Sequence, residues 1–96
     1  MTDSDNLLVS RGRVLMEQPV DEEMFGLEPQ NGNFYGFNAT AARIWALIEQ
    51  PQSLAALCAT LAEEFDVAPA TCRADTLAML RELEADGLVT LTTPDA

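Results

Sequence analysis

The side chains of this 96-residue chain restrict the chemistry that it could perform. It has no histidine, so neither a Ser-His-Asp arrangement nor a histidine metal ligand can form. A carboxylate pair could do acid–base work, but the acidic runs 21–23 and 63–64 are typical of solvated segments. Cys58 and Cys72 form no CxxC, which favours two reduced, small hydrophobic residues over a redox or metal site. We therefore expect no catalytic residue, no metal and no cofactor.

The main chain offers a different kind of chemistry, namely unpaired hydrogen-bonding groups. Residues 34–37, Phe-Tyr-Gly-Phe, are typical of a short strand with Phe34 and Gly36 on one face and Tyr35 and Phe37 on the other. If this strand lies at the edge of a sheet, its outer N–H and C=O groups can pair with a strand from another polypeptide. The segment therefore indicates a docking module rather than an enzyme.

The charge of the chain restricts its partners. The net charge is −11, with five arginines and no lysine, which disfavours nucleic acids and anionic membranes. No apolar run is long enough to span a bilayer. The N-terminus lacks the basic start and apolar segment of a secretory signal, so a cytoplasmic location is expected.

The first part of the chain predicts three strands. A first strand is expected around residues 12–17, with an earlier start left open, and Pro19 is expected to end its pairing. A second strand is centred on residues 24–27. The segment 29–32, Pro-Gln-Asn-Gly, is then typical of a hairpin turn that leads into the 34–37 strand.

Three helices are predicted after these strands. Asn38 is expected to cap the first helix, Ser53 the second, and Pro69 suits the first turn of the third. Gly87 is expected to end the third helix, and residues 88–91 to pack back as a short extended segment. The helical period assigns these apolar faces: Ala41, Ile44, Trp45 and Ile48; Leu54, Leu57, Cys58, Leu61 and Phe65; Cys72, Thr76, Met79, Leu80 and Leu83.

The order of the elements indicates an α+β fold. We predict a winged helix-turn-helix-like arrangement, with a three-stranded antiparallel sheet followed by three helices. The length of the chain suits one domain, which we place at residues 7–91. We expect residues 1–6 to be a disordered N-terminus and residues 92–96 a flexible tail.

From about residue 14 to residue 91, the chain resembles the PqqD-like family, the recognition elements of ribosomally made, post-translationally modified peptides. The resemblance is carried by three stretches. They are Phe34-Tyr-Gly-Phe-Asn-Ala-Thr-Ala-Ala-Arg-Ile-Trp-Ala-Leu-Ile48, the apolar pattern of 53–67, and the pattern of 74–89. The chain is most similar to the discrete leader-binding proteins of lasso-peptide pathways. It departs from many relatives at Ala68, where an acidic residue would cap the third helix.

The resemblance implies a function. Such domains bind the leader segment of a precursor peptide and present it to a modifying enzyme. In lasso-peptide pathways that enzyme is a separate leader peptidase, which works ahead of a cyclase. We expect this chain to be a monomer or a weak dimer that does not itself catalyse a reaction.

We expect the leader to add as a strand to residues 34–37 and to lie in a groove against the third helix. Methionine adapts readily to a ligand, and Asp75 could meet a basic or amide group. The strand supplies Phe34, Tyr35, Gly36 and Phe37. The helix supplies Asp75, Thr76, Met79, Leu80 and Leu83.

Three other interpretations remain open from the sequence. The chain could be a chaperone for another peptide-derived product, such as a quinone cofactor. It could instead be a winged-helix interaction or regulatory protein. It could also be a structural subunit that dimerises through its sheet edge.

Overall fold

Two small antiparallel sheets and three helices make up residues 7–93, the part of the chain that this computed structural model describes. The elements in chain order are β1 (Leu8–Arg11), β2 (Met16–Val20), β3 (Glu23–Leu27), β4 (Phe34–Phe37), α1 (Ala39–Leu47), β5 (Gln52–Ser53), α2 (Leu54–Phe65), α3 (Pro69–Ala85) and β6 (Val89–Thr92). The predicted α+β class is therefore confirmed.

The strands divide between a terminal sheet, with the order β5-β1-β6, and a hairpin sheet, with the order β2-β3-β4. The single first strand predicted around residues 12–17 is wrong, because β1 and β2 belong to different sheets. β1 pairs along its whole length with β6, from Leu8 opposite Thr92 to Arg11 opposite Val89. The long sequence separation of these partners leaves no local pattern that could have revealed the pairing.

Pro19 does not end β2, contrary to the prediction. It lies within the strand, opposite Met24 of β3. β2 has β3 as its partner on one side only, and an edge strand tolerates a residue without an N–H on its free side. The proline therefore costs the sheet little.

A buried carboxylate organises the turn between β3 and β4. Glu28 is only 2% exposed, and its side chain accepts hydrogen bonds from the main-chain N–H of Gln30 (3.2 Å) and Asn31 (2.9 Å). Gly32 has a φ of 76°, as the Asn-Gly pair predicted. The N–H of Glu28 donates to the carbonyl of Asn33 at 2.9 Å and closes the loop.

The helix ends follow the capping signals. Asn38 Oδ1 accepts from the N–H of Ala41 at 2.9 Å, and Ser53 Oγ accepts from the N–H of Ala56 at 3.1 Å. α3 begins at Pro69 and has no side-chain cap at Ala68. Gly87 follows α3 with a φ of 78°, a conformation that glycine adopts without strain.

The core lies where the three helices meet the inner faces of the two sheets. Trp45 is its largest fully buried side chain, and its Nε1 donates to Glu17 at 2.9 Å. Arg11 stacks over the Trp45 ring at 4.5 Å and donates two hydrogen bonds to the Trp45 carbonyl. These contacts join β1, β2 and α1. Phe65, which was predicted on the buried face of α2, is 42% exposed at the end of that helix.

The two ends of the chain were predicted to be flexible. Residues 1–6 and 94–96 lie outside the described residues. Thr92, which was assigned to the tail, is the last residue of β6. None of the helices in 7–93 combines the length and the apolar character needed to cross a bilayer.

Candidate functional site

β4 is an edge strand with one free side. It pairs with β3 in an unbroken register from Leu27 opposite Phe34 to Met24 opposite Phe37, and no other strand among residues 7–93 pairs with it. The bond from Glu28 N–H to the Asn33 carbonyl marks those two residues as a hydrogen-bonded pair.

Hydrogen-bonded and non-hydrogen-bonded pairs alternate along an antiparallel ladder. It follows that Tyr35 and Phe37 direct their main-chain groups towards β3. Phe34 and Gly36 direct theirs towards the free side.

The opposite edge of the same sheet differs in its chemistry. β2 carries Pro19 and Glu17, and the acidic residues 21–22 follow it. Proline and charged side chains are the usual means of blocking strand addition at an edge. β4 has neither, since its sequence is Phe-Tyr-Gly-Phe. Of the two edges of the hairpin sheet, only β4 is therefore chemically open to a further strand.

A groove of about 360 Å³ separates β4 from α3. Its apolar surface comes mainly from aromatic side chains of β4 and from Met79 and Leu83 of α3. Two carboxylates, Glu82 and Asp86, lie along the helical wall. The complete lining is Phe34, Tyr35, Gly36, Phe37, Asn38, Ala41, Met79, Glu82, Leu83 and Asp86.

A second depression of about 320 Å³ adjoins the groove, and Met79 lines both. It lies between the start of α1, the end of α2 and the first half of α3. Its lining is Thr40, Leu61, Phe65, Val67, Cys72, Asp75, Thr76 and Met79. We call it the adjoining hollow.

The predicted site residues are brought together only in part. Phe34, Tyr35, Gly36, Phe37, Met79 and Leu83 line the groove, and Asp75 and Thr76 line the adjoining hollow. Leu80 lines neither, because its side chain is fully buried, so the prediction that it lines the groove is wrong. Thr76 is 4% exposed and Phe37 is 3% exposed, so both belong chiefly to the core. The Phe37 ring meets the Trp45 ring edge-on at 5.7 Å.

Glu82 and Asp86 are lining residues that the sequence prediction missed. The prediction selected the apolar arc of the third helix and therefore passed over its charged neighbours. Their spacing from Met79, three and seven residues, places them on the same side of α3 and could have identified them. Asn38 was assigned only a capping role, although it also lines the groove.

Gly36 lies on the outer face of the hairpin sheet, beside Phe25. A Cβ built at position 36 would lie 3.5 Å from the nearest atom of the Phe25 ring, an ordinary contact. The folded chain itself therefore does not require glycine there. Phe34 occupies the same face and stacks on Phe25 with a centroid separation of 5.8 Å.

The other reactive side chains lie away from the groove or in the core. Cys58 and Cys72 are not joined in a disulfide and both are buried, as expected for small hydrophobic residues. Within residues 7–93, no group of three or more histidine, cysteine or acidic side chains has an arrangement that could hold a metal ion. The features that match the predicted site are the free main-chain edge of β4 and a groove with apolar and acidic side chains.

Comparison of the sequence with known protein families identifies the family of this chain. The model of the family described as Coenzyme PQQ synthesis protein D (PqqD) matches residues 23–89, which include β3, β4 and all three helices. The chain belongs to the PqqD family. The resemblance identified from its residues is thereby confirmed. Among curated proteins, no significant match to this PqqD-family chain was found.

A solved structure also matches this PqqD-family chain. It is that of TbiB1 in complex with the TbiA(beta) leader peptide, with a TM-score of 0.74 and 25% sequence identity. The match covers 83% of this chain and 93% of the TbiB1 chain. The similarity therefore extends over nearly the whole fold.

Proposed function

We propose that this PqqD-family protein binds the leader segment of a ribosomally made precursor peptide. The leader adds as a further strand to the free side of β4, and its side chains enter the groove against α3. The protein then presents the bound leader to a separate leader peptidase, ahead of a cyclase, in lasso-peptide maturation. It acts in the cytoplasm as a carrier and leaves the chemistry to its partner enzymes.

The observation that carries this proposal is the unprotected edge of β4 next to a groove with both apolar and acidic side chains. Phe34 and Gly36 offer main-chain donors and acceptors, which give affinity with little demand on sequence. Pockets for alternate side chains then give specificity. The match to TbiB1, which was solved with a leader peptide, supports a peptide as the ligand. The lasso-peptide assignment comes from the resemblance of residues 34–48 to the discrete leader-binding proteins.

The energetics suit a carrier that must release its ligand. Ordering a free peptide costs roughly 2–5 kcal/mol of the gross interaction energy. The apolar contacts with Tyr35, Met79 and Leu83 must exceed this cost, so we expect binding of moderate strength. An acidic surface also accelerates encounter with a leader or an enzyme that carries basic patches.

A pair of substitutions at position 36 tests the strand addition. Gly36→Pro removes one outward N–H and should abolish binding, while the β3–β4 ladder stays intact because residue 36 does not donate to β3. Gly36→Ala keeps the N–H and adds only a methyl group in ordinary contact with Phe25. Binding is measured by fluorescence anisotropy with the labelled leader of the precursor encoded beside this protein.

The two variants give a clear contrast. We expect Gly36→Ala to bind within a few fold of the unmodified protein and Gly36→Pro to show no saturable binding. Circular dichroism and Trp45 fluorescence check that both variants are folded. Equal affinity in a folded Gly36→Pro variant would exclude strand addition at β4.

A second candidate function follows from the family description, which names coenzyme PQQ synthesis. In that case the bound peptide would be the precursor of a quinone cofactor and the partner a radical enzyme. The same groove would serve both roles. Titration with each class of precursor leader distinguishes them, since the true substrate should bind more tightly and should respond to Gly36→Pro.

A further inference from the structure

The wall that α3 presents to the bound peptide combines apolar side chains with a row of carboxylates. Asp75, Met79 and Glu82 follow one another at intervals of four and three residues, so they lie along one side of α3. Asp86, the C-cap residue of α3, continues this row four residues later. Met79, Glu82 and Asp86 line the groove, and Asp75 lines the adjoining hollow. All three acidic residues are exposed.

This row has no cationic side chain beside it in either depression. The chain contains no lysine, and none of the arginines within 7–93 lines the groove or the hollow. Two of the arginines are engaged elsewhere. Arg43 pairs with Glu64, and Arg11 binds the Trp45 carbonyl. A basic side chain of a bound peptide would therefore meet these carboxylates without competition from an arginine of the lining.

We propose that the groove selects leader segments in which basic side chains flank an apolar centre. This inference rests on the proposed function, because it names the class of peptide that the same groove accepts. Lysine or arginine at one end would face Asp75 and at the other end Glu82 and Asp86. The apolar residues between them would contact Met79 and Leu83.

The spacing of the basic residues follows from helix and strand geometry. Eleven residues separate Asp75 from Asp86, a rise of about 16 Å along α3 at about 1.5 Å per residue. An extended peptide covers that distance in about five residues at about 3.3 Å each. Because successive side chains of a strand point to opposite faces, only residues an even number of positions apart can face the same helix. A leader that suits the row therefore has basic residues about four or six positions apart.

A selection that makes no assumption about the ligand tests this inference. The full-length protein is immobilised, and random peptides of about a dozen residues, displayed on phage, are selected on it. The same selection is carried out on the Gly36→Pro variant. Peptides that are recovered on the unmodified protein and not on this variant depend on the β4 edge. We expect the edge-dependent peptides to carry lysine or arginine on both sides of an apolar centre.

Affinity measurements on one recovered peptide then assign the effect to the row. Replacement of its basic residues by glutamine should weaken binding about threefold for each residue, as for exposed ion pairs. The Asp75→Asn, Glu82→Gln, Asp86→Asn triple variant should lose this sensitivity. The control is a triple variant in which Glu49, Glu63 and Glu84 become glutamine. These residues line neither depression, and their replacement changes the net charge by the same amount. The control variant should therefore keep the sensitivity to the basic residues of the peptide.

Each outcome has a separate meaning. Edge-dependent peptides without a basic bias would overturn the charge inference and leave peptide binding at β4 intact. Equal loss of sensitivity in both triple variants would also overturn it, because the net charge alone would then explain the effect. A selection that yields no edge-dependent peptide would overturn the proposed function itself.

Discussion

Individual side chains of β4 and α3 divide their surface between the core and the groove. Tyr35 and Met79 are half-buried and pack partly against the core, yet both line the groove. Leu80, one residue from Met79, is fully buried. Some apolar residues of an amphipathic helix face the core, and others at the margin of the same face stay accessible to a partner. The helical period of the sequence does not distinguish these two groups.

Substitutions at Tyr35 and Met79 should weaken peptide binding without unfolding the chain. We expect Tyr35→Ala and Met79→Asp each to cost about 1–2 kcal/mol of binding free energy, since each removes an apolar side chain from the lining of the groove. Met79→Asp also adds a charge beside Glu82. Anisotropy titration with the labelled leader measures the effect.

Met79→Leu keeps an apolar side chain and should bind nearly as well as the unmodified protein. Val14→Ala changes an exposed residue that lines no part of the groove and serves as a second control. Unchanged affinity in both Tyr35→Ala and Met79→Asp would show that the groove is placed wrongly.

The ion pair between Arg43 and Glu64 predicts a pH dependence of stability. The guanidinium of Arg43 donates to both carboxylate oxygens of Glu64, at 2.8 and 2.7 Å, and lowers the pKa of Glu64. Because the pKa is lower in the folded state, the pair stabilises the fold above the unfolded pKa of about 4.3. This contribution is lost as the pH falls through the folded pKa.

Urea unfolding followed by Trp45 fluorescence checks this dependence. Glu64→Gln should be slightly less stable than the unmodified protein at pH 7, and the difference should disappear in acid. It should also shrink in high salt, because the pair is exposed. Glu63→Gln, which makes the same charge change next to the pair, should not reproduce the pattern. A difference that stays constant down to pH 2 would contradict the ion-pair explanation.

Helices and turns could be predicted from the sequence, whereas the pairing of distant strands could not. Asn38, Ser53, Pro69 and Gly87 are local signals, and each marks the boundary that it indicated. The terminal sheet depends on β1 meeting β6 at the other end of the chain, a contact that no nearby residue specifies.

The candidate site likewise has parts that local sequence predicts and parts that depend on distant contacts. Its strand could be located from the period of residues 34–37. Its free side depends on the order of strands in the hairpin sheet, and the burial of Leu80 depends on how α3 packs.

The uncapped start of α3 offers a test at the level of a single element. Ala68→Asp should supply a side-chain acceptor for the free N–H groups of the first turn and raise the free energy of unfolding by about 1 kcal/mol. Thermal and urea unfolding measure the change. Ala68→Val alters the side chain without adding an acceptor and should not stabilise the chain. A gain in both variants, or in neither, would contradict the capping explanation.

At the scale of the whole molecule, like charge protects the open β4 edge from pairing with another copy. The net charge of −11 makes two copies repel each other at neutral pH, although the edge itself carries no blocking residue. A peptide of opposite charge meets no such barrier. We therefore expect the acidic composition to keep copies of the chain apart while the β4 edge stays open.

Self-association should rise as the pH approaches the isoelectric point of about 4.1, where the repulsion disappears. We expect light scattering to report a monomer at pH 7 in low salt and larger species near pH 4. Gly36→Pro should reduce that increase if the copies meet through β4, whereas Gly36→Ala should not. An equal increase in both variants would exclude this edge as the route of association.

The loop from Glu28 to Asn33 sets a condition on how sequences of this kind can diverge. Successive residues of a strand point their side chains to opposite faces and their amides to opposite sides. If the loss of one loop residue shifts the register by one, every side chain of β4 moves to the other face of the sheet. Phe37 would leave the core for the outer face and would offer its amide where Gly36 now offers its own. We therefore expect related sequences that keep the same outward amides in β4 to differ in the length of this loop by an even number of residues, unless a β-bulge compensates.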